Sequence, residues 1–577
     1  MKNLIFGILS ISLIVFISCD RDSDDSNNIN NTNNINNTNN INNTNNINNQ
    51  SCGNGIIDGE ESCDGTNLGD NDCTTLGLDY TEGTLSCLVD CSDFDVSECS
   101  YGETTSYPTP DATILQTGTG GFLLKGKILL EDSVISQGEV LIINEFITCV
   151  DVSCSSEPQA DSVTVIETNG IISPGLIDSH NHVSYNFLPE WVPSNGQLFN
   201  NRYEWSDEPE YEEFIKPYST HRSSNSHFCP ASKWGILRSL VHGTTTMQGQ
   251  PSASGSCINW SVRNANRYHG LGYDHMRGTI ASPRDITTED ASGYVESFED
   301  PQEPCTRFHV HMQEGFSGNH ITEEFDSFAG RDPRENRHSG VSLLEYGTAI
   351  LIHSVSLTNQ QIEEAALTDA KIVWSPSSNM VLYGDTAPID LFLEAGITVG
   401  IGPDWTLSGK DDMLAELKFC REYALSNSIS LLSSKKLWQM ATSENAKVIG
   451  LENHIGKIEV GLRADILIIG RDGDNPYDTL IDADATDVRL VLIDGEAHFG
   501  DDNLSSVARN DACEDFDVCG INKFICVSDP DSSTNLADET LTEIHDQIYS
   551  ILEGLPEAPP EEQYGRGDEL LPLVSCN

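Results

Sequence analysis

The chain has 577 residues, more than one ordinary domain, and carries 90 acidic against 31 basic side chains for a net charge of −59. Such a surface excludes nucleic acid and anionic lipid headgroups as partners recognised through charge, since both need a positive face. Hydrophobic residues make up 38%, slightly under the globular norm, because polar segments dilute a core-forming sequence.

In chain order, Lys2 precedes an apolar run from Leu4 to Ile17, followed by Ser18 and Cys19. The run is short for a membrane span and right for the core of a signal peptide. A small residue before Cys resembles the lipobox of bacterial lipoproteins. Residues 1–19 are therefore read as a lipoprotein signal peptide, with cleavage before Cys19 and acylation of its thiol. The resemblance implies an exported protein, lipid-anchored to the cell envelope on its periplasmic or outer side. An ordinary signal peptide containing Cys is the alternative. Residues 27–50 repeat Asn-Asn-Ile-Asn-Asn-Thr, and one Ile per period buries no core, so residues 20–51 read as a disordered tether.

Cys52, Cys63, Cys73, Cys87, Cys91 and Cys99 cluster in residues 52–100, which lack a Cys-x-x-Cys pair. In an exported chain that pattern means disulfides rather than zinc. The opening, from Cys52-Gly-Asn-Gly to Cys63-Asp, resembles the cysteine-rich repeats of myxobacterial surface proteins. Residues 101–119 read as a linker.

Short strand signals fill 120–172: Phe122–Leu124, Lys127–Leu130, Glu139–Ile143 and Val163–Ile166, with Cys149 and Cys154 spaced to close a hairpin loop. Matching signals return in 455–500, at Gly456–Ile469 and Val488–Asp494. Together they predict a β-sandwich built from both ends of the chain's middle. Residues 173–454 alternate strand and helix. The strand candidates are Ile171–Ile177, Thr244–Met247, Phe308–Met312, Ala349–Ile352, Ile372–Trp374 and Thr398–Ile401. The helix candidates include Lys233–Val241, Gln360–Leu367 and Asp412–Leu425, the last with Met413, Leu417, Cys420 and Ala424 at helical spacing. Strand then helix over this length predicts an α/β fold, a TIM-like (β/α)8 barrel. The acidic tail, 501–577, holds four cysteines and one amphipathic helix with Leu541, Ile544, Ile548 and Ile551 on a face, expected to pack on the barrel.

The chemistry sits where apolar runs stop. Asp178-Ser-His180-Asn-His182, His309-Val-His311-Met-Gln-Glu314, Leu351-Ile-His353 and Ile401-Gly-Pro-Asp404 each end a strand candidate. Residues two apart on extended backbone point the same way, so His180 and His182 can reach one ion. A parallel barrel gathers strand ends on one face. Imidazoles and a carboxylate gathered there suit a divalent cation that activates water.

Ser173-Pro-Gly-Leu-Ile-Asp178 leading into His180-Asn-His182 resembles the signature of the amidohydrolase superfamily. Phe308–Glu314 is similar to its fifth-strand histidine with a glutamate three residues on, and Ile350–His353 to its sixth-strand histidine. Ser375-Pro-Ser-Ser-Asn379 with Ala395–Asp404 resembles the branch of cytosine and chlorotriazine deaminases. Met440–Ala446 and Ile455–Asp465 match the closing stretch. The resemblance covers roughly residues 120–500. It implies that His180, His182, His311 and Asp404 bind one metal ion, zinc before iron. It also implies that Asp404 takes a proton from water, that Glu314 gives one to a ring or leaving nitrogen, and that His353 holds the attacking hydroxide or polarises substrate. Between His182 and His311 the only lysines, Lys216 and Lys233, lie off any strand candidate, so no carbamylated lysine is expected to bridge a second ion. His309 and His242 read as structural, and His221 and His227 carry no assigned role. The aromatic segment 185–230 reads either as a lid over the mouth or as packing on the barrel rim.

The expected function is hydrolysis of non-peptide carbon–nitrogen bonds in a small nitrogen heterocycle, first by deamination. A cyclic amide or imidazolone ring-opener is the second reading. A non-catalytic surface binding protein on a decayed barrel is the third.

Overall fold

The computed structural model describes residues 106–191, 193, 196–217, 228–249, 261–266, 276–280, 282–300, 306–334, 337, 340–528, 539–552 and 570–576, with scattered positions between 57 and 100. The signal peptide with Cys19, the Asn-rich tether, and His221 and His227 lie outside these residues. In the cysteine-rich stretch, Cys63 bonds Cys87, and Cys73 and Cys91 are also disulfide-bonded.

Eight parallel strands carry the middle of the chain: β1 Leu176–Asp178, β2 Thr244–Met247, β3 Arg263–Asn264, β4 Met276–Ile280, β5 Arg307–Met312, β6 Ala349–His353, β7 Lys371–Trp374 and β8 Val399–Ile401. They pair in sequence order as two sheets, β1-β2-β3 and β4-β5-β6-β7-β8. β5 to β8 are runs of Ile, Val, Leu and Phe buried on both faces, as parallel strands covered by helices require. Among the described residues β3 and β4 share no backbone pairing. At the other junction, β8 reaches β1 through its end: Ser179 N donates to Ile401 O (3.4 Å), Asp404 N to His180 O (3.2 Å) and His182 N to Asp404 O (2.6 Å). Deeper down the Asn445 side chain does the joining. Its amide donates to the carbonyls of Ile177 and Ile401, and its oxygen accepts from Ile401 N. Gly400 makes room, since a Cβ there would lie 1.9 Å from Asn445 Oδ1.

β3 and β4 were not visible as strands in the sequence. The reason at β3 is plain: Arg263 is fully buried and its guanidinium is clasped by Asp465 (2.9 Å) and Asp494 (2.7 Å), so the strand has no apolar run. The candidate Ile171–Ile177 is two strands. Ile171–Pro174 pairs with Ile466–Ile469, while Leu176–Asp178 pairs with Thr244–Met247. Pro174 has no N–H to give a ladder, so the chain changes sheets there.

The strands from both ends do come together, in one hydrogen-bonded sheet of ten strands. Its order is Glu514–Val518, Ile521–Ile525, Glu496–Asp501, Val488–Ile493, Ile466–Ile469, Thr164–Pro174, Gly121–Leu129, Val134–Ile143 and Phe146–Asp151, with Thr113–Gln116 alongside Thr164–Pro174. Leu124, Ile128, Ile142, Ile172, Leu490 and Phe524 share one buried cluster. The two early signals 122–124 and 127–130 are one strand with a register shift after Gly126. Cys149 bonds Cys154, closing the expected loop. The tail holds more than its helix: Glu514–Val518 and Ile521–Ile525 form a hairpin whose turn residues, Cys519 and Gly520, have φ of 52° and 87°. Two positive φ values match the twist of a tight hairpin. Alternating acids hid this strand, because one of its faces is solvated.

Three helices matter below: α1 Phe228–Val241, α2 Met413–Ser426 and α3 Leu541–Leu552. In α2 Met413, Leu417, Cys420 and Ala424 are buried as their spacing requires, and the Asp412 side chain caps Ala415 N. α3 packs against α1, burying Ile544, Ile548 and Leu552 in the main core, and Glu539 pairs with Lys233 of α1 at 2.5 Å. Cys513–Cys526 and Cys519–Cys576 fasten the tail.

Candidate metal centre

β1, β5, β6 and β8 end at one place. His180 and His182 follow β1, His311 lies near the end of β5, His353 ends β6, and Asp404 follows β8. His180 Nε2 is 3.1 Å and His182 Nε2 3.4 Å from the same Asp404 oxygen, Oδ1. The His311 ring centre is 5.0 Å from that of His180, 5.5 Å from His182 and 5.4 Å from His353. Two overlapping sets result, His180–His182–Asp404 and His180–His311–His353, each with ligand atoms within 4.8 Å of one another. All four residues of the expected ligand set converge. His353, expected to act on water or substrate, stands in the same cluster.

The backbone is bent to make this possible. His353, Ser354 and Asp404 have φ of 66°, 54° and 74°, and Gln313 has 43°. Residues other than Gly rarely adopt this left-handed region, and such strain concentrates at functional sites. Gly402 lets the end of β8 approach β1, since a Cβ there would lie 2.7 Å from His180 backbone atoms.

Outer partners fix each ring. Asn379 donates its amide to Thr386 Oγ1 (3.0 Å), which leaves Oδ1 to accept from His353 Nδ1 (3.1 Å). His353 Nε2 is therefore an unprotonated, buried nitrogen, and among the described residues it has no hydrogen-bond partner. His180 Nδ1 faces Gln248 Oε1 at 3.3 Å. A buried carboxylate facing two imidazoles, beside nitrogens of His353 and His311 that have no hydrogen-bond partner among the described residues, is an arrangement that a cation relieves. The donor set fits a divalent ion.

Electrostatics agree. Burial pushes His353 down to about 4 and His311 well below the usual imidazole range, so both are neutral at pH 7. Burial alone would raise Asp404, but its contact with His180 and the neighbouring imidazoles outweigh it and hold the carboxyl well below the usual range. Ser378 Oγ donates to its second oxygen at 2.8 Å. Burial pushes Glu314 up to about 7, Arg202 opposing. Its Oε2 lies 3.7 Å from His353 Nε2, and its Oε1 accepts from Tyr383 at 2.6 Å. His309 turns away and faces Ser179 O at 3.1 Å, and His242 bonds Arg238 O at 2.8 Å, so both are structural as expected. Lys216 pairs with Glu212, and Lys233 with Glu539, so neither bridges the centre.

The segment after β1 reaches the site in part. Its short helix Arg202–Ser206 is tied to the turn after β5: Asn201 bridges Gly315, and Arg202 N donates to Glu314 O at 3.1 Å. Trp205, Trp405, Tyr185 and Tyr211 make an aromatic wall, with Trp405 5.5 Å from the ring of His182. His182 is the most open of the clustered histidines, its side chain 34% exposed. Tyr383 and Gln248 carried no motif and were missed, and Ser378 stood within the Ser375–Asn379 stretch without an assigned role.

Glu416 of α2 was missed too. It is buried and accepts from Ser377 N (3.2 Å) and Ser377 Oγ, and burial pushes it up to about 7. Unfolded, it ionises near 4.5. Between those values the native state holds a proton that the unfolded chain has released, so this group's contribution falls as pH rises from about 4.5 to about 7. Glu416→Gln keeps the shape and removes the titration. Its melting temperature should match wild type at pH 5 and exceed it by on the order of 2 °C at pH 8. Equal gaps at both pH values would refute this.

Residues 292–497 match the model of the amidohydrolase family. The 5-methylthioadenosine/S-adenosylhomocysteine deaminase of Haloarcula marismortui is 25% identical over 403 residues, covering 64% of this chain and 90% of the relative. The 5'-deoxyadenosine deaminase of Methanosphaera stadtmanae is 24% identical over 441 residues, covering 69% and 97%. Among solved structures, a triazine hydrolase from Arthrobacter aurescens superposes with a TM-score of 0.52 at 19% identity, covering 66% of this chain and 94% of its own. The atrazine chlorohydrolase of Arthrobacter aurescens TC1 complexed with zinc gives 0.51 at 20% identity, covering 65% and 94%. The structural likeness shows a shared fold, and the family match bears on the chemistry. Over residues 292–497 this chain is similar to the amidohydrolase family, and the relatives it matches are named as deaminases.

Proposed function

We propose that the protein deaminates an aminated nitrogen heterocycle, using one divalent ion held by His180, His182, His311 and Asp404. The observation that carries this is the convergence of four imidazoles, His180 and His182 of them against Asp404, with a second carboxyl, Glu314, alongside. When bound, the ion supplies Lewis acidity that brings water's ionisation toward neutrality. Asp404, ionised, accepts a proton from water. Glu314, protonated near neutral pH, gives one to the ring or leaving nitrogen as the tetrahedral centre forms. His353, its tautomer set by Asn379, offers Nε2 toward the same space. The aromatic wall beside His182 suits a flat ring. Relatives named as methylthioadenosine and deoxyadenosine deaminases make aminated purine nucleosides the first compounds to try. The eight parallel strands are read as a closed barrel, with β8 meeting β1 as described. Screening purified protein for ammonia release from heterocyclic amines tests the reading. Consumption of cyclic amides without ammonia would favour ring opening instead. No turnover of either class would leave only the binding-protein reading.

The domain division, export and the lipid anchor are proposed as read from the sequence, with Thr113–Gln116 of the expected linker and the hairpin of the expected tail pairing into the ten-stranded sheet. The run before Cys19 supports lipidation. Palmitate label should enter the wild type and not Cys19→Ala, and equal labelling would refute the anchor.

A further inference from the structure

We propose that Tyr383 is a positioning residue that fixes the acidic proton of Glu314 on Oε2, the oxygen facing His353, and that Trp205 aims the Tyr383 hydroxyl. The inference deepens the proposed function and rests on Glu314 acting there as the acid. Three groups stand in line, Tyr383 and Glu314 buried and Trp205 half-buried. Trp205 Nε1, a donor only, gives its hydrogen to Tyr383 Oη at 2.9 Å. The phenol has one hydrogen of its own, and Tyr383 Oη lies 2.6 Å from Glu314 Oε1. Among the described residues Glu314 is the one acceptor this hydroxyl is seen to reach. With Trp205 occupying the phenol as acceptor, the Tyr383 hydrogen points to Oε1, and Oε1 serves as the carbonyl oxygen of the acid. The proton of Glu314 is left to Oε2, 3.7 Å from His353 Nε2 and inside the histidine cluster.

The same helix, Arg202–Ser206, holds the backbone. Arg202 N donates to Glu314 O at 3.1 Å, and the Arg202 guanidinium clasps Glu324, whose Oε2 accepts Gln313 N at 2.8 Å. A wrong placement of the acid proton, on Oε1, would aim it at the Tyr383 hydroxyl and away from substrate. When the proton passes from Oε2 to a substrate nitrogen, one O–H bond breaks and one N–H bond forms. The carboxylate left behind keeps the Tyr383 bond, now charge-assisted and stronger. The chain therefore stabilises the product side of the proton transfer through a residue that never touches substrate. It does so only while the segment after β1 is seated, because Trp205 rides on it.

The test uses Tyr383→Phe, Trp205→Phe and the double variant, each purified with its metal content measured. Tyr383→Phe keeps the ring and should keep the wild-type ion. Its kcat should fall about 10–100-fold, the loss expected of a hydrogen bond to a charged group, with little change in KM. Trp205→Phe should fall less, and the double variant should be no worse than Tyr383→Phe, since Trp205 acts through Tyr383. A double variant that multiplies the two losses would overturn the relay. A second reading needs no turnover. In isotope-edited infrared spectra below neutral pH, the carbonyl stretch of protonated Glu314, assigned with Glu314→Gln, should rise in Tyr383→Phe as its donor is lost. A stretch that stays put overturns the proposal. Should Tyr383→Phe fail to fold, the same stretch in Trp205→Phe decides in the same way. A wild type that hydrolyses no heterocycle would sink the functional reading, and the infrared shift would still decide Tyr383.

Discussion

Replacing Glu314 by Gln should lower kcat for deamination by about 10²–10⁴-fold, the range general acid catalysis contributes, while the bound ion stays. Glutamine keeps the shape of the side chain and can still accept from Tyr383 through its carbonyl oxygen. What it lacks is an acidic proton. Glu314 is placed for this role by burial: its carboxyl is pushed up to about 7, so a large fraction is protonated under neutral conditions. Arg202 and Tyr383 pull the other way, which keeps the group poised near neutrality rather than permanently neutral. Its position among the clustered histidines separates it from a surface carboxylate. The measurement is steady-state ammonia release with metal content determined on the same sample. Activity within about tenfold of wild type would remove Glu314 from the chemistry.

Stripping the ion with a chelator should abolish turnover, and one equivalent of zinc per chain should restore it. Four imidazoles around one carboxylate provide ligands and no balancing positive charge, and burial keeps His311 and His353 neutral. His180 belongs to both ligand triads. His180→Ala should therefore weaken the ion by more than the roughly 10–100-fold that loss of an outer partner costs. Loss of Asn379, which positions His353 beside the proposed ligands, should weaken the ion by no more than that range. Because an ion that binds only the folded state stabilises it by mass action, the stripped protein should also melt lower. Two ions per active chain, found by elemental analysis, would overturn the single-ion reading that the pairing of Lys216 and Lys233 elsewhere supports.

Much of the site was legible because its residues sit at the ends of apolar runs. A buried strand ends where the apolar pattern ends, and Asp178–His182, His309–Glu314, Leu351–His353 and Ile401–Asp404 each marked such an end. The spacing of Met413, Leu417, Cys420 and Ala424 likewise settled which face of α2 is inside. These are local facts, and periodicity reports them because burial is repeated along one element.

Only the tertiary structure decided which distant side chains meet. β3 is held by Arg263 between Asp465 and Asp494, and a strand kept inside by an ion pair has no hydrophobic pattern to read. Asn445 joins β1 to β8 where backbone pairing is sparse, and Tyr383 faces Glu314 from a helix 69 residues further on. The tail hairpin alternates acids with apolar residues and became a strand by pairing with the sheet at Glu496–Asp501. Sequence by itself determined the strand ends, the helical faces and the residue types able to hold a cation. Which outer partner sets each tautomer, and which oxygen of an acid carries its proton, depended on packing, because a buried polar group is defined by the partner that satisfies it.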